Sequence, residues 1–404
     1  MREQRRKLRV AVVFGSRSVE HEVSIISAIQ AMDAMDPRRY EPLPIYITKE
    51  GRWLTGPELR RVESYKDQAG LLSRCRPVYL RPEPFGNRLF MEEPGPLGTR
   101  RTRVTVVDVV FPVVHGTYGE DGTLQGLLEL AAVPYVGAGV VGAAVGMDKI
   151  MMKAAFKAHG LPVVNYVAFT RKRWQSAADE VAAEIERTLN YPLFVKPANL
   201  GSSVGISKAK DRAGLFDAIE VAAHYDRRLL VEESFEGGIE VNCSVLGNDD
   251  PIPSVCEQPI AWTEILSYED KYLRGGGKGK GASGGEGGCE GMASLTRRIP
   301  APISDELTVE IQRLAVEAFK AIDGAGLARI DFLVDPASGR ICVNEINTLP
   351  GSLSFYLWEP SGVPFPALVD RLIELALERH RERQQTTYSY DSALLQQLSS
   401  GKGR

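Results

Sequence analysis

At 404 residues the chain is too long for one ordinary hydrophobic core, and about 150 residues per domain predicts two or three. Its 44% hydrophobic and 25% charged residues are those of a globular protein, and a formal net charge of -3 argues against a nucleic-acid partner held by phosphate neutralisation. No apolar run approaches the ~20 residues of a membrane span, the N-terminus lacks a secretion-signal pattern, and five scattered cysteines without Cys-x-x-Cys argue against a disulfide framework or structural zinc, so a cytoplasmic protein is expected.

The apolar run 8–15 is a buried-strand pattern ending in a glycine, and Ser16-Arg17-Ser18 leads into a helix predicted from about 20 to 35. This is the opening of an open parallel sheet in an α/β domain. A second apolar run, 104–114, ends at His115 and passes through Gly116-Thr117-Tyr118-Gly119-Glu120-Asp121-Gly122 into a helix over 124–132. Ligands bind at the carboxyl edge of such sheets, so the loops carrying Glu20 and His115 to Asp121 are expected to line one pocket. His21 is read as a solvated helix-start residue outside it.

A different region follows, with a helix over 145–159, a strand near 163–169, a helix over about 176–190, and a strand 193–196 ending on Lys196. After the loop 199–205 come a helix near 213–224 and a strand 229–232, together a small α+β domain. The rest, to about 385, reads as a third domain closed by an amphipathic helix over 365–383, with Leu368, Leu372 and Leu375 at helical spacing. The expected units are residues 1–137, 138–231 and 232–385, with a polar tail over 386–404. The glycine-rich tract 275–291 has two readings, a disordered insertion or a mobile lid.

The most informative segment is the pair of β-branched runs 327–332 and 342–348, separated by the turn-forming stretch 335–340. Side chains two apart share a strand face, so Arg329 and Asp331 point together, as do Glu345 and Asn347, and a turn centred near 337 and 338 brings the two pairs within cross-strand reach. Charges among Leu, Ile, Phe and Val would be costly without a purpose. Oxygen donors in this pattern suit a hard divalent cation that keeps room for water and phosphate.

Gly201-Ser202-Ser203-Val204-Gly205 offers backbone N–H groups and hydroxyls for a phosphate, although it is neither a Walker nor a Rossmann sequence. Lys196, at the end of an apolar strand, is placed to neutralise that phosphate, and Lys149 is a second such cation. Glu232 and Glu240 suit an adenine amino group and a ribose hydroxyl, or serve as structural carboxylates.

These motifs together resemble the ATP-grasp superfamily, and more closely its D-alanine:D-alanine ligase family, over residues 9 to 385. The resemblance is carried by 14–24, 115–126, Lys196-Pro197 with the loop to Gly205, and Arg329-Ile330-Asp331 with 345–351. It implies an ATP-grasp fold behind an N-terminal open parallel-sheet domain. By the same resemblance ATP would be held by Lys149, Lys196, Ser203, Glu232, Glu233, Phe235, Glu240 and Lys271. Asp331, Glu345 and Asn347 would hold two Mg²⁺ or Mn²⁺ ions. Glu20 would bind the first D-alanine's ammonium, Ser202 and Tyr272 would fix a closing loop, His115 and Glu120 would complete the polar wall, and Arg329 and Gly351 would belong to the catalytic group. The implied product is D-alanyl-D-alanine for peptidoglycan, made through an acyl phosphate by a homodimer, with no nucleic-acid or membrane partner.

The sequence departs from that family in two places. The stretch after Gly351 is several residues shorter than usual, leaving Ser352 and Ser354 as equal candidates for the acceptor's carboxylate, and the glycine-rich tract is longer. D-serine or D-lactate as acceptor is the alternative reading, whereas a nucleotide-binding regulator would be expected to have lost a metal ligand or a phosphate lysine.

Overall fold

Both faces of the first strand are covered, which is why its apolar run is continuous. In β1 (Leu8–Gly15), Val10, Val12 and Phe14 pack in one core cluster while Ala11 and Val13 pack in another. The structure, a computed structural model, describes residues 6–84, 87–95, 100–260, 297–390 and 392. Helix α1 (His21–Ala34) covers the first face of β1, and the following strand, β2 (Tyr40–Ile47), pairs with it in parallel. Strand β3 (Trp53–Thr55), the short helix α2 (Gln68–Arg74), and strands β4 (Arg76–Leu80), β5 (Arg88–Pro94) and β6 (Arg100–Val106) follow, then β7 (Val109–Val113) and α3 (Thr123–Leu130).

The first sheet has the order β6-β5-β4-β3-β2-β1-β7. Only β2-β1-β7 is parallel; an antiparallel meander, not foreseen in the sequence, extends it. The run expected as one strand over 104–114 is two, split at Val107-Asp108. Asp108 accepts from the backbone N–H of Arg9 at 2.7 Å, which starts β7 beside β1.

The helix expected over 145–159 is also two, α4 (Val140–Met147) and α5 (Lys149–Ala158). Asp148 interrupts it with extended backbone, and its carboxylate caps the N–H groups of Ile150 and Met151, each at 3.1 Å. Lys149 therefore begins a new helix. Strand β8 (Tyr166–Thr170) ends at Thr170, whose side chain caps α6 (Arg171–Thr188) earlier than expected. Then come β9 (Leu193–Pro197), β10 (Ser207–Ala209), α7 (Arg212–Tyr225) and β11 (Arg228–Glu233), forming an antiparallel sheet of order β10-β9-β11-β8.

The third sheet, β14-β13-β12-β15-β16, is built from β12 (Ile239–Gly247), β13 (Ile252–Pro259), β14 (Arg297–Arg298), β15 (Gly326–Asp335) and β16 (Arg340–Asn347), with α8 (Asp305–Ala321) packed on it. The short α9 (Phe355–Trp358) precedes α10 (Phe365–Arg383). Leu368, Leu372 and Leu375 are buried as their spacing requires, in a cluster shared with α1, β1 and Leu327 of β15. Helix α10 is thus common packing for the first and third sheets.

Trp358 is 1% exposed and its indole N–H donates to Ser244 Oγ at 3.0 Å, fastening α9 to β12. Trp358→Ala is expected to cost about 3–5 kcal/mol, read by urea unfolding, and a loss below ~1 kcal/mol would contradict this packing role.

Candidate active site

The carboxyl edge of the first sheet meets the hairpin of the third around a narrow cavity of about 70 Å³. Its wall includes Glu20, His115, Glu120, Lys149, Ser202, Arg329, Glu345, Asn347 and Gly351, which the sequence scatters over more than three hundred positions. Glu20 caps the rim at the start of α1 and accepts from Ser202 Oγ, joining α1 to the loop after β9. Two glycines admit that carboxylate. A Cβ at Gly116 would lie 2.8 Å from Glu20 Oε2, and one at Gly201 would lie 2.6 Å from the same atom.

His115 and Glu120 act on the segment after β16. The Nδ1–H of His115 donates to the Leu349 carbonyl at 2.8 Å, which leaves Nε2 to accept from Ser27 Oγ at 3.0 Å. Ser27 Oγ in turn accepts from the Ser352 N–H at 2.9 Å. Burial lowers the His115 pKa, in keeping with this neutral tautomer. Glu120 accepts from the N–H of Gly116 at 2.9 Å and of Leu349 at 3.0 Å. Burial first, and the nearby Glu20 charge second, push its pKa up to about 8.

The hairpin brings the two pairs within reach of each other as expected, with Arg329 opposite Asn347 and Asp331 opposite Glu345. A bulge follows, because Phe332 pairs with Val343 and leaves Asn344 unopposed. Arg329 grips Asp331 with two hydrogen bonds, at 2.6 and 2.7 Å, and Asn347 Nδ2 donates to the same carboxylate at 3.0 Å. Of the three expected metal ligands, Glu345 and Asn347 line the cavity, whereas Asp331 is turned to Arg329 and Asn347. Among the described residues no group of three His, Cys, Asp or Glu side chains is arranged as a metal site. Two carboxylates and an amide oxygen still fit a hard cation that takes its remaining ligands from phosphate and water.

Lys149 Nζ donates to the Leu200 carbonyl at 2.7 Å and lies 3.9 Å from Glu345. Behind it lies Glu232, read in the sequence as a nucleotide contact or a structural carboxylate: one oxygen pairs with Lys196 and the other lies 3.1 Å from Lys153 Nζ. Burial alone would raise the Glu232 pKa, but Lys153 and Lys196 hold it down at about 2. Lys153 and Asn344 were not singled out in the sequence. A lysine four residues after Lys149 shares its helix face, which was the available signal.

The other expected residues are more dispersed. Ser203 has left-handed backbone (φ 58°), and its loop turns on itself through the Val204 N–H to Gly201 and the Ile206 N–H to Ser203. The Glu233 carboxylate accepts from Asn190 and Asn165, Phe235 lies 4.7 Å beneath the Arg340 guanidinium, and Glu240 is on β12 opposite Leu333. Lys271 and Tyr272, with the tract 275–291, lie outside the described residues. His21 is buried rather than solvated, bonded to the Ser16 carbonyl at 2.6 Å and Tyr46 OH at 2.9 Å, and it holds the turn before α1. Ser352 and Ser354 are both buried in consecutive left-handed positions, with hydroxyls that lack a partner among the described residues.

Two antiparallel sheets that meet across lysines and carboxylates, behind a sheet with a parallel core, define an ATP-grasp ligase. Two family models match the chain, "D-ala D-ala ligase N-terminus" over residues 9–138 and "D-ala D-ala ligase C-terminus" over residues 155–374. A D-alanine--D-alanine ligase of Geobacillus kaustophilus is 42% identical over 395 residues, 95% of this chain and 98% of the relative. The solved D-alanine-D-alanine ligase of Coxiella burnetii gives a TM-score of 0.73 at 33% identity, covering 94% of this chain and 96% of that one. A D-Ala:D-Ser ligase of Enterococcus faecalis gives 0.75 at 31% identity, covering 92% and 100%. The chain belongs to the D-alanine--D-alanine ligase family.

The raised Glu120 pKa sets a sign. Its contribution to stability is complete below the ordinary 4.5 and is lost as pH rises through about 8, because the folded chain retains a proton that the unfolded chain releases. Glu120→Gln is expected to flatten the fall in stability between about pH 5 and about pH 8 in urea unfolding. An identical pH slope in variant and wild type would contradict the assignment.

Proposed function

We propose that this chain joins two D-alanine molecules into D-alanyl-D-alanine at the expense of ATP, as a step of peptidoglycan precursor synthesis. The observation that carries this reading is the single cavity shared by Glu20, Arg329, Lys149, Glu345 and Asn347, with Lys196 beyond it. An amino-acid end and a phosphate end lie in one site.

In this reading the first D-alanine places its ammonium at Glu20 and its carboxylate toward the lysines. A carboxylate oxygen attacks the γ-phosphorus of ATP, ADP leaves, and the resulting acyl phosphate is an acyl donor that the free carboxylate is not. The amine of the second D-alanine, without its extra proton, attacks the acyl carbon, and phosphate leaves with the former carboxylate oxygen. Arg329, oriented by Asp331, supplies fixed positive charge beside the tetrahedral intermediate. Lys149 and Lys196 offset charge on the transferring phosphoryl group. Two Mg²⁺ or Mn²⁺ ions held by Glu345, Asn347 and Asp331 would neutralise phosphate oxygens. Ser352 and Ser354, whose buried hydroxyls lack a partner among the described residues, are the candidates for the acceptor's carboxylate.

Among the described residues no helix is long and apolar enough to cross a membrane. The family likeness supports a homodimer, which light scattering reads directly. The likeness to a D-Ala:D-Ser ligase keeps D-serine as the competing acceptor.

Mass analysis of products from ATP, Mg²⁺ and D-alanine, alone and with excess D-serine or D-lactate, is expected to give the D-alanine dipeptide in every mixture. Product only when the second acceptor is present would move the function to that acceptor. Glu345→Gln is expected to lower phosphate release by ~100-fold or more with the melting temperature unchanged, and undiminished turnover would remove its metal role.

A further inference from the structure

Lys153 is 1% exposed, and a cation so placed must be compensated. It lies on α5, yet its partners come from both neighbouring sheets. Its Nζ is 3.1 Å from Glu232 Oε2 on β11 and 3.5 Å from the carbonyl of Asn344 on β16. Lys196, on β9, pairs with the other oxygen of Glu232, and its Nζ is 3.5 Å from Asn344 Oδ1. The bulge that leaves Asn344 unopposed puts both of its oxygens in reach of the two lysines.

The charges here do not cancel in pairs. Glu232 faces two lysines, so neither one holds its carboxylate alone. Without Lys153, Glu232 and Lys196 would close into a neutral contact pair, and an incoming phosphate would compete with a carboxylate already seated on the lysine. With Lys153 present, Glu232 stays compensated when Lys196 turns to another anion.

We propose that Lys153 is a positioning residue for the nucleotide: by holding Glu232, it keeps the charge of Lys196 available to ATP phosphate. This rests on the ATP-dependent reading above. It assigns Lys153 no contact with substrate and makes its effect specific to the nucleotide.

The test compares wild type, Lys153→Met, Lys153→Met/Glu232→Gln and Lys196→Met by steady-state phosphate release, varying ATP and D-alanine separately, with circular-dichroism melts. Lys153→Met is expected to raise KM for ATP by roughly ten- to a hundredfold while KM for D-alanine stays put. Removing Glu232 as well frees Lys196 again, so the double variant is expected to have a lower KM for ATP than Lys153→Met. A purely structural role would lower the melting temperature and move both KM values together, rather than KM for ATP alone. An unchanged KM for ATP in Lys153→Met, or a double variant as poor as that single variant, overturns the proposal. If Lys153→Met does not fold, the double variant is read against Lys196→Met; a smaller loss supports the proposal and an equal loss overturns it. Wild-type protein that releases no phosphate with D-alanine would instead sink the functional reading.

Discussion

The pairing of β15 with β16, including its bulge, is the constraint on which the rest of the site depends. A strand register fixes which side chains share a face, and a slip of one residue would send Glu345 and Asn347 to the opposite side of the sheet. With Asp331 opposite Glu345, the carboxylates and Asn347 sit beside Arg329. The bulge immediately afterwards spares Asn344 from the ladder, so it turns to Lys153 and Lys196 on neighbouring elements. One local irregularity thereby serves the oxygen-donor side and the lysine side together.

The same strand continues into the segment that the first sheet holds. His115 and Glu120 follow β7, Ser27 lies on α1, and between them they bind the backbone of Leu349 and Ser352. These hydrogen bonds are buried, where a group left unpaired costs more than a satisfied one gains. They explain why a histidine and a glutamate expected in the polar wall are occupied by protein partners. Their work is to set the position of the 348–352 segment. Helix α10 supports the same junction through apolar packing shared by α1 and β15.

Much of this was legible where a period could be read. Alternation placed Arg329, Asp331, Glu345 and Asn347 on one face, and helical spacing identified Leu368, Leu372 and Leu375 as a core stripe. Three kinds of feature were not legible. The break at Asp148 depends on a side chain that caps rather than continues a helix, and the apolar residues around it read as one run. The burial of His21 depends on Tyr46, brought near by the parallel pairing of β1 and β2. The role of Glu232 depends on Lys153, and nothing in the spacing of residues 153, 196 and 232 announces that two cations share one carboxylate. Each is a tertiary contact between segments whose local patterns are complete without it.

The central claim is that one site activates a D-alanine carboxylate by phosphorylation and then passes its acyl group to an amine. The most direct measurement is the fate of a carboxylate oxygen. With D-alanine labelled with oxygen-18 in its carboxylate, turnover through an acyl phosphate must leave one labelled oxygen in each inorganic phosphate released with dipeptide, read by mass spectrometry or phosphorus NMR. Phosphate carrying no label while labelled dipeptide accumulates would contradict the account.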